Sequence, residues 1–234
     1  MDPAITRLLL IAGAYLVGAI PFGLLIAKSK GVDIRKHGSG NIGATNVGRV
    51  LGKKFFVICF ILDMLKGLTP TIAFGLASGI IGSDESVSPA DYWWWLGAMV
   101  APVLGHMFSP FIGFKGGKGV ATGLGSLLAV VPVMTIAAGV ALAVFLTTLK
   151  VSRYVGLSSS LASLSLPITT AVLVYGVAGG FASAWPTVLA SAALAVIVIV
   201  KHRSNLGRTL KGTEPKAGSP KRPSEIVGTP MNDR

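Results

Sequence analysis

The chain is poor in the residues from which many catalytic sites are built. Its 234 residues include nine Asp and Glu, three His and one Cys. The single cysteine, Cys59, lies in an apolar run and excludes a disulfide scaffold. There is no H-E-x-x-H, no C-x-x-C and no acidic cluster, so no metal site is expected. Charge is scarce altogether: 13% of residues are Asp, Glu, Lys or Arg, against roughly 25% in an ordinary soluble domain.

What fills the chain is apolar, 52% hydrophobic residues with 30 glycines besides. A soluble globule of this length has no interior able to hide so much apolar surface. Uncharged stretches run from Leu8 to Ala27, Tyr92 to Pro110, Gly119 to Leu149 and Leu157 to Val200, and another from Phe55 to Gly82 is interrupted by Asp63 and Lys66. Such runs suit the ~20 residues of a membrane-crossing helix. They lack the alternation of a barrel strand. The expected fold class is all-α, a polytopic integral membrane protein.

The net charge of +12 would suggest nucleic acid in a soluble protein. Its placement suggests membrane topology instead, with no nucleic-acid partner. Residues 28–54 hold seven Lys and Arg against Asp33, whereas 83–91 hold Asp84, Glu85 and Asp91 with no positive residue. By the positive-inside rule the first loop is cytoplasmic and the second external. A single helix between Lys118 and Lys150 would be about 46 Å long, and it would place the basic C-terminal segment outside. Two short crossings turning near Pro132 restore the rule; a re-entrant pair would preserve the same sidedness. With a further split near Ala178–Ala184, seven spans are expected, N-terminus outside and C-terminus cytoplasmic. Tyr92 to Trp95 and Trp185 read as an interfacial aromatic belt. Residues 1–214 form the expected membrane domain and 215–234 a disordered tail. No signal peptide is evident.

Polar residues collect in three loops on the cytoplasmic side. Loop one, His37–Arg49, carries Gly38, Gly40, Gly43 and Gly48 among Ser39, Asn41, Thr45 and Asn46. Glycines let backbone amides converge on an anion, and Arg49 can clamp a phosphate; a Gly/Asn-rich turn is the plain alternative. Loop two, Gly113–Thr122, sets Lys118 among Gly116, Gly117 and Gly119, directly before an apolar helix. A helix N-terminus and a lysine make an anion site, although the order Lys118–Gly119 is not that of a Walker P-loop. In loop three, His202–Glu214, a helical spacing puts His202, Asn205 and Arg208 on one face. His37, His106 and His202 all fall at expected membrane boundaries. Asp63 and Lys66, three apart within a span, can pair; they either hold the glycine loops in place or contact substrate directly.

These loops imply an anionic, phosphate-bearing ligand, and the hydrocarbon-embedded scaffold implies a lipid as substrate or product. No G-x-S-x-G elbow is present, so direct transfer between two bound substrates is expected rather than a covalent acyl-enzyme. A transporter would place its contacts near the midplane, often in inverted repeats; here they lie at one face and no repeat is evident.

The chain resembles the bacterial acyl-phosphate:glycerol-3-phosphate acyltransferases, the PlsY family, over about residues 5–214. The resemblance rests on GSGNIGATN with Arg49, on GHMFSPFIGFKGGKGVAT from Gly105 to Thr122, and on HRSNLGRTLKGTE, with LDMLKG at Leu62–Gly67 as a further feature. It implies a seven-helix bundle in the bacterial inner membrane with a cytoplasm-facing active site. It also implies transfer of a fatty acyl group from acyl phosphate to the 1-hydroxyl of glycerol 3-phosphate, the first acylation of phospholipid synthesis. No cofactor and no obligatory oligomer is implied. Carried onto this chain, Arg49, Lys118, His202 and Asn205 are the expected catalytic residues. Ser39, Gly40, Asn41, Thr45, Asn46, Gly116, Gly117 and Gly119 are expected to bind substrate or phosphate; Asp63, Lys66, His106, Arg208 and Glu214 are expected to support them. The proton of the glycerol hydroxyl is expected to go either to His202 or to a substrate phosphate oxygen. One departure from the family pattern is Ser109–Pro110, where relatives tend to have the proline one position earlier.

Overall fold

The computed structural model describes residues 2–82, 86–177 and 181–217. The acidic loop residues Asp84 and Glu85, part of the expected break at 178–184, and tail residues 218–234 lie outside them. Residues 215–217 rest against the bundle: Arg153 donates to the Ala217 carbonyl at 2.9 Å, and the Ala217 N–H donates to the Arg153 carbonyl at 2.7 Å.

The described residues form an all-helical bundle. The first apolar run breaks into α1 (Pro3–Gly18) and α2 (Phe22–Lys28) because Pro21 lacks an N–H and cannot continue the ladder. The carbonyls of Ala19 and Ile20 at the break accept from Ser109 Oγ at 2.6 Å and Lys66 Nζ at 2.7 Å. A short α3 (Ala44–Leu51) leads through Gly52, at φ +100°, into α4 (Lys53–Ala77), followed by α5 (Pro89–Met107). Then come α6 (Val120–Leu128), α7 (Val133–Ser152), α8 (Val155–Ala171) and α9 (Pro186–Leu210). Among the described residues, six stretches are long and apolar enough to cross a membrane: 3–28, 53–77, 89–112, 133–152, 155–176 and 182–210.

The expected pair of crossings around Pro132 is unequal. The nine residues of α6 rise only about 14 Å, half of a ~30 Å hydrocarbon core, whereas the twenty residues of α7 suffice to cross. Helix α6 lies inside the bundle instead of facing lipid. Gly67 of α4 abuts the Thr122 carbonyl, and Gly125 of α6 abuts the Met64 carbonyl, so a Cβ at either position would overlap backbone. Gly18 and Gly105 bring α1 and α5 together in the same way. Without a hydrophobic drive between helices in lipid, such close approach supplies the packing energy.

The aromatic cluster divides by helical period. Tyr92 and Trp95 are buried, and the Trp95 N–H donates to the Thr71 carbonyl at 3.2 Å. Only Trp93 and Trp185 keep the exposure expected of a belt, packed edge to face at 5.7 Å between ring centres. Residues 92, 95, 96 and 99 share the inward face of α5, so part of the aromatic run is core. At the same end of the bundle, Arg7 pairs with Asp91 at 2.9 Å.

Candidate active site

Loop one is tied from within. The Asn46 side chain, 2% exposed, accepts the Ser39 N–H at 2.8 Å through Oδ1. Its Nδ2 faces the carbonyls of Asn41, His37 and Ile34 at 2.8, 3.0 and 3.3 Å. Asn41 Oδ1 in turn accepts from the Gly43 N–H at 2.8 Å. Asn46, expected to bind substrate, is therefore committed to holding the loop closed, since both ends of its amide are occupied. Gly38 and Gly40, at φ +59° and +70°, make the turns around it, and a Cβ at Gly38 would overlap Asn46 Oδ1. Ser39 and Thr45 remain exposed, and Arg49 projects from α3 with its side chain beside Gly38.

Loop two is pinned to the end of α5. The Gly117 N–H donates to the His106 carbonyl at 3.1 Å and the Gly116 N–H to the Met107 carbonyl at 3.2 Å. These two amides are thereby spent, and the glycines serve close approach: a Cβ on Gly116 would overlap the His106 backbone, and one on Gly117 the His106 ring. Gly119, at φ +74°, caps α6 and turns the chain into the helix. Lys118, between the two, is delivered to loop three. Its Nζ donates to Asn205 Oδ1.

Loop three is the last nine residues of α9, from His202, and the chain after it. His202 and Asn205 are 2% and 9% exposed. His202 Nδ1 lies 2.9 Å from the Val198 carbonyl. That oxygen can only accept, so Nδ1 carries the proton and a neutral ring keeps its lone pair on Nε2. Asn205 Nδ2 donates to Glu214 Oε1 at 2.5 Å, and Arg208 Nε donates to Glu214 Oε2 at 2.6 Å. The chain can fold back to place Glu214 there because Gly212, at φ +68°, ends the helix. Gly156 of α8 packs directly on the Asn205 side chain.

Lys118, Asn205, Glu214 and Arg208 thus form one connected string. Burial pushes the Lys118 ammonium down to about 8; Glu214 opposes this shift, and the guanidinium groups of Arg208 and Arg49 add to it. All three loops therefore act on one lysine, in a site that holds excess positive charge.

Asp63, Lys66 and His106 form a second cluster, buried below the first. Lys66 Nζ lies 2.8 Å from Asp63 Oδ1, with both side chains at most 3% exposed, and His106 Nδ1 faces the same oxygen at 3.7 Å. The cluster joins the broken first span, through Lys66 and the Ile20 carbonyl, to loop two, through His106 and Gly117. His106 and His202 both sit inside the bundle. Beside loop two, an apolar groove begins at Gly119 and descends between α6, α7, α8 and α9.

Residues 8–212 match the glycerol-3-phosphate acyltransferase family. The chain belongs to that family. The glycerol-3-phosphate acyltransferase of Desulforamulus reducens is 44% identical over 218 residues, covering 93% of this chain and 98% of the relative. The Aquifex aeolicus protein is 44% identical over 212 residues, with 88% and 97% covered. Among solved structures, PlsY in its glycerol 3-phosphate form superimposes with a TM-score of 0.74 at 39% identity, covering 91% of this chain and 96% of that one. The lysophosphatidic acid form of PlsY gives 0.71 at 39%, with 90% and 95% covered.

In this acyltransferase, three glycines inside helices shape the site through close packing. Gly156 makes room for Asn205, and Gly67 with Gly125 seats α6 and hence Lys118. Within a helix, nothing in the letter itself separates them from Gly123 or Gly139, whose Cβ positions face open space.

Proposed function

We infer that Arg49, Lys118, His202 and Asn205 form the reaction centre of an acyl-phosphate:glycerol-3-phosphate O-acyltransferase. The enzyme transfers a fatty acyl group from acyl phosphate to glycerol 3-phosphate and releases lysophosphatidic acid and inorganic phosphate. The observation that carries the site assignment is the contact of Lys118 with Asn205 at the mouth of an apolar groove, with the charge of Arg49 acting on the same lysine. Lys118 and Arg49 neutralise two phosphates that would otherwise repel, and the groove takes the acyl chain. Positioned charge of this kind supplies a large share of rate enhancement, and fixing hydroxyl against carbonyl supplies more. The 1-hydroxyl oxygen of glycerol 3-phosphate bonds to the acyl carbon, the bond from that carbon to the phosphate oxygen breaks, and the hydroxyl proton passes to a phosphate oxygen. Asp63, Lys66 and His106 hold loop two in place.

The topology that fits this chemistry has the loops on the cytoplasmic face of the bacterial inner membrane, with the N-terminus outside and the C-terminus inside. Loop two and α6 form the half-length seventh segment. The excess of Lys and Arg on the three loops supports that orientation.

The defining assay needs one compartment: purified protein in detergent with acyl phosphate and radiolabelled glycerol 3-phosphate. Labelled lysophosphatidic acid is expected with acyl phosphate and not with acyl-CoA; no product from acyl phosphate would overturn the assignment. Because His202 Nδ1 is already committed to Val198, His202→Gln, whose amide reaches the Nε2 position, is the informative substitution. Near-normal turnover in His202→Gln with strong loss in His202→Ala is expected if phosphate takes the proton. Equal loss in both would make His202 the base.

A pH profile tests Lys118 separately. With its pKa near 8 in the free enzyme, the ammonium is charged below that pH and neutral above it. The value of kcat/KM for acyl phosphate should therefore fall as pH rises through about 8. Glu214→Gln removes the charge that supports the ammonium, so the fall should begin at lower pH. A flat profile up to the limit of acyl phosphate stability would remove Lys118 from the phosphate site.

A further inference from the structure

The walls of the apolar groove are graded on three of the four helices that enclose it. On α6 the lining runs Gly119, Gly123, Leu127; on α8 it runs Ser159, Ala162, Leu166; and on α9 it runs Val198, then Leu194. On these three helices the residue nearest the polar site is the smaller and the deepest is leucine; α7 presents Phe145 and Leu142 toward its polar-site end and Ala141 and Ala138 deeper. The depths agree as well. At 1.5 Å per residue, Leu127 lies about 12 Å below Gly119, and Leu194 about 12 Å below His202. The three leucines are 3–5% exposed and belong to one packed core. Directly beyond Leu127 the chain turns through Ala129–Pro132, where Ala129 and Val130 are buried and Val131 and Pro132 are exposed, and α7 begins at the buried Val133. The half-length of α6 thus ends the groove partway through the bilayer.

The wall is apolar even where serines line it. Ser159 Oγ donates to the Val155 carbonyl at 2.9 Å and Ser163 Oγ to the Ser160 carbonyl at 2.8 Å, so both hydroxyls are spent on their own helix. The groove is continuous with the reaction centre, through Gly119 beside Lys118 and through Val198, whose carbonyl holds His202. Its occupant is therefore the alkyl tail of the substrate whose phosphate sits at Lys118.

We propose that Leu127, Leu166 and Leu194 form the floor of an acyl-chain ruler, and that the alanines above them, Ala141 and Ala162, keep its shaft open. This rests on the acyl-transfer reading. A tail that reaches the floor fits the shaft, and a longer one must bend or leave sideways. The residues at floor and shaft thereby select chain length without touching the reacting atoms.

The test is competition among decanoyl, myristoyl and stearoyl phosphates for labelled glycerol 3-phosphate, using purified full-length enzyme. Ala162→Leu and Ala141→Leu, on separate helices, each narrow the shaft. Each should lower the stearoyl-to-decanoyl ratio of kcat/KM by about tenfold or more, the usual worth of a methylene admitted to or refused by an apolar pocket. Leu166→Ala deepens the floor and should raise that ratio. The KM for glycerol 3-phosphate should stay at the wild-type value in all three. If one narrowing variant fails to fold, the other decides. An unchanged ratio in every folded variant, with wild-type turnover intact, overturns the ruler alone. A wild-type enzyme inert with all three donors overturns the acyl-transfer reading and the ruler with it.

Discussion

Lys118→Met is expected to reduce kcat/KM for acyl phosphate by about a hundred- to thousand-fold, the range seen when one donor aimed at developing transition-state charge is removed. Three observations concentrate the effect at this residue. Its ammonium is the only side-chain cation contributed by loop two that reaches loop three, where it donates to Asn205. Asn205 is itself fixed by Glu214, and Glu214 by Arg208. The backbone on either side is immobilised, by Gly117 on the His106 carbonyl and by Gly119 at the start of α6. A preorganised donor costs no rearrangement at the moment of reaction, so its loss falls fully on the barrier. Lys118→Arg should recover little, because the longer planar fork does not fit an Nζ position set by Asn205. Steady-state kinetics on both variants, with circular dichroism to confirm folding, give the comparison. Turnover within a few-fold of wild type in Lys118→Met would show that the phosphate is held elsewhere.

Asp63→Ala should be the most damaging single change to stability. It leaves the Lys66 ammonium buried in a membrane span with its ion partner gone and the Ile20 carbonyl as its remaining acceptor. Breaking a buried pair from one side costs about 3–5 kcal/mol, which in a chain of this length lowers the melting temperature by on the order of 10 °C. The double variant Asp63→Leu/Lys66→Met removes both charges and should recover much of the loss, since replacing a buried pair by apolar groups is often neutral. Melting and inactivation half-life in detergent measure both variants. An Asp63→Ala protein that melts with the wild type would show that the pair contributes nothing. Activity should fall further than stability alone explains, because Asp63 also faces His106, whose carbonyl holds loop two.

Which residues gather at the site was largely legible from composition. Glycine, lysine and amide side chains crowd three short segments, and each segment borders a long apolar run that limits where it can go. The tasks within a segment were less legible. Asn46 and Asn41 read as ligands because an amide side chain offers a donor and an acceptor; whether it spends them on substrate or on its own loop depends on carbonyls up to twelve residues away. Gly116 and Gly117 read as an anion nest, yet their N–H groups meet the end of α5. Trp95 read as an interfacial residue from its neighbours, while its place on the inward face of α5 buries it.

The sequence by itself determined that the chain lives in a bilayer, that its helices are closed units joined by short polar loops, and which three loops carry the glycines, lysines and amide side chains. Hydrocarbon leaves a backbone no other partners, so apolar runs of sufficient length must be helical and must cross. Tertiary structure alone decided the depth of α6, the meeting of Lys118 with Asn205, and the gathering of Leu127, Leu166 and Leu194 along one groove. Each of these depends on how closely two backbones approach, through Gly67 and Gly125 or through Gly156. Close approach is a property of the pair of surfaces in contact, and neither strand of sequence carries it alone.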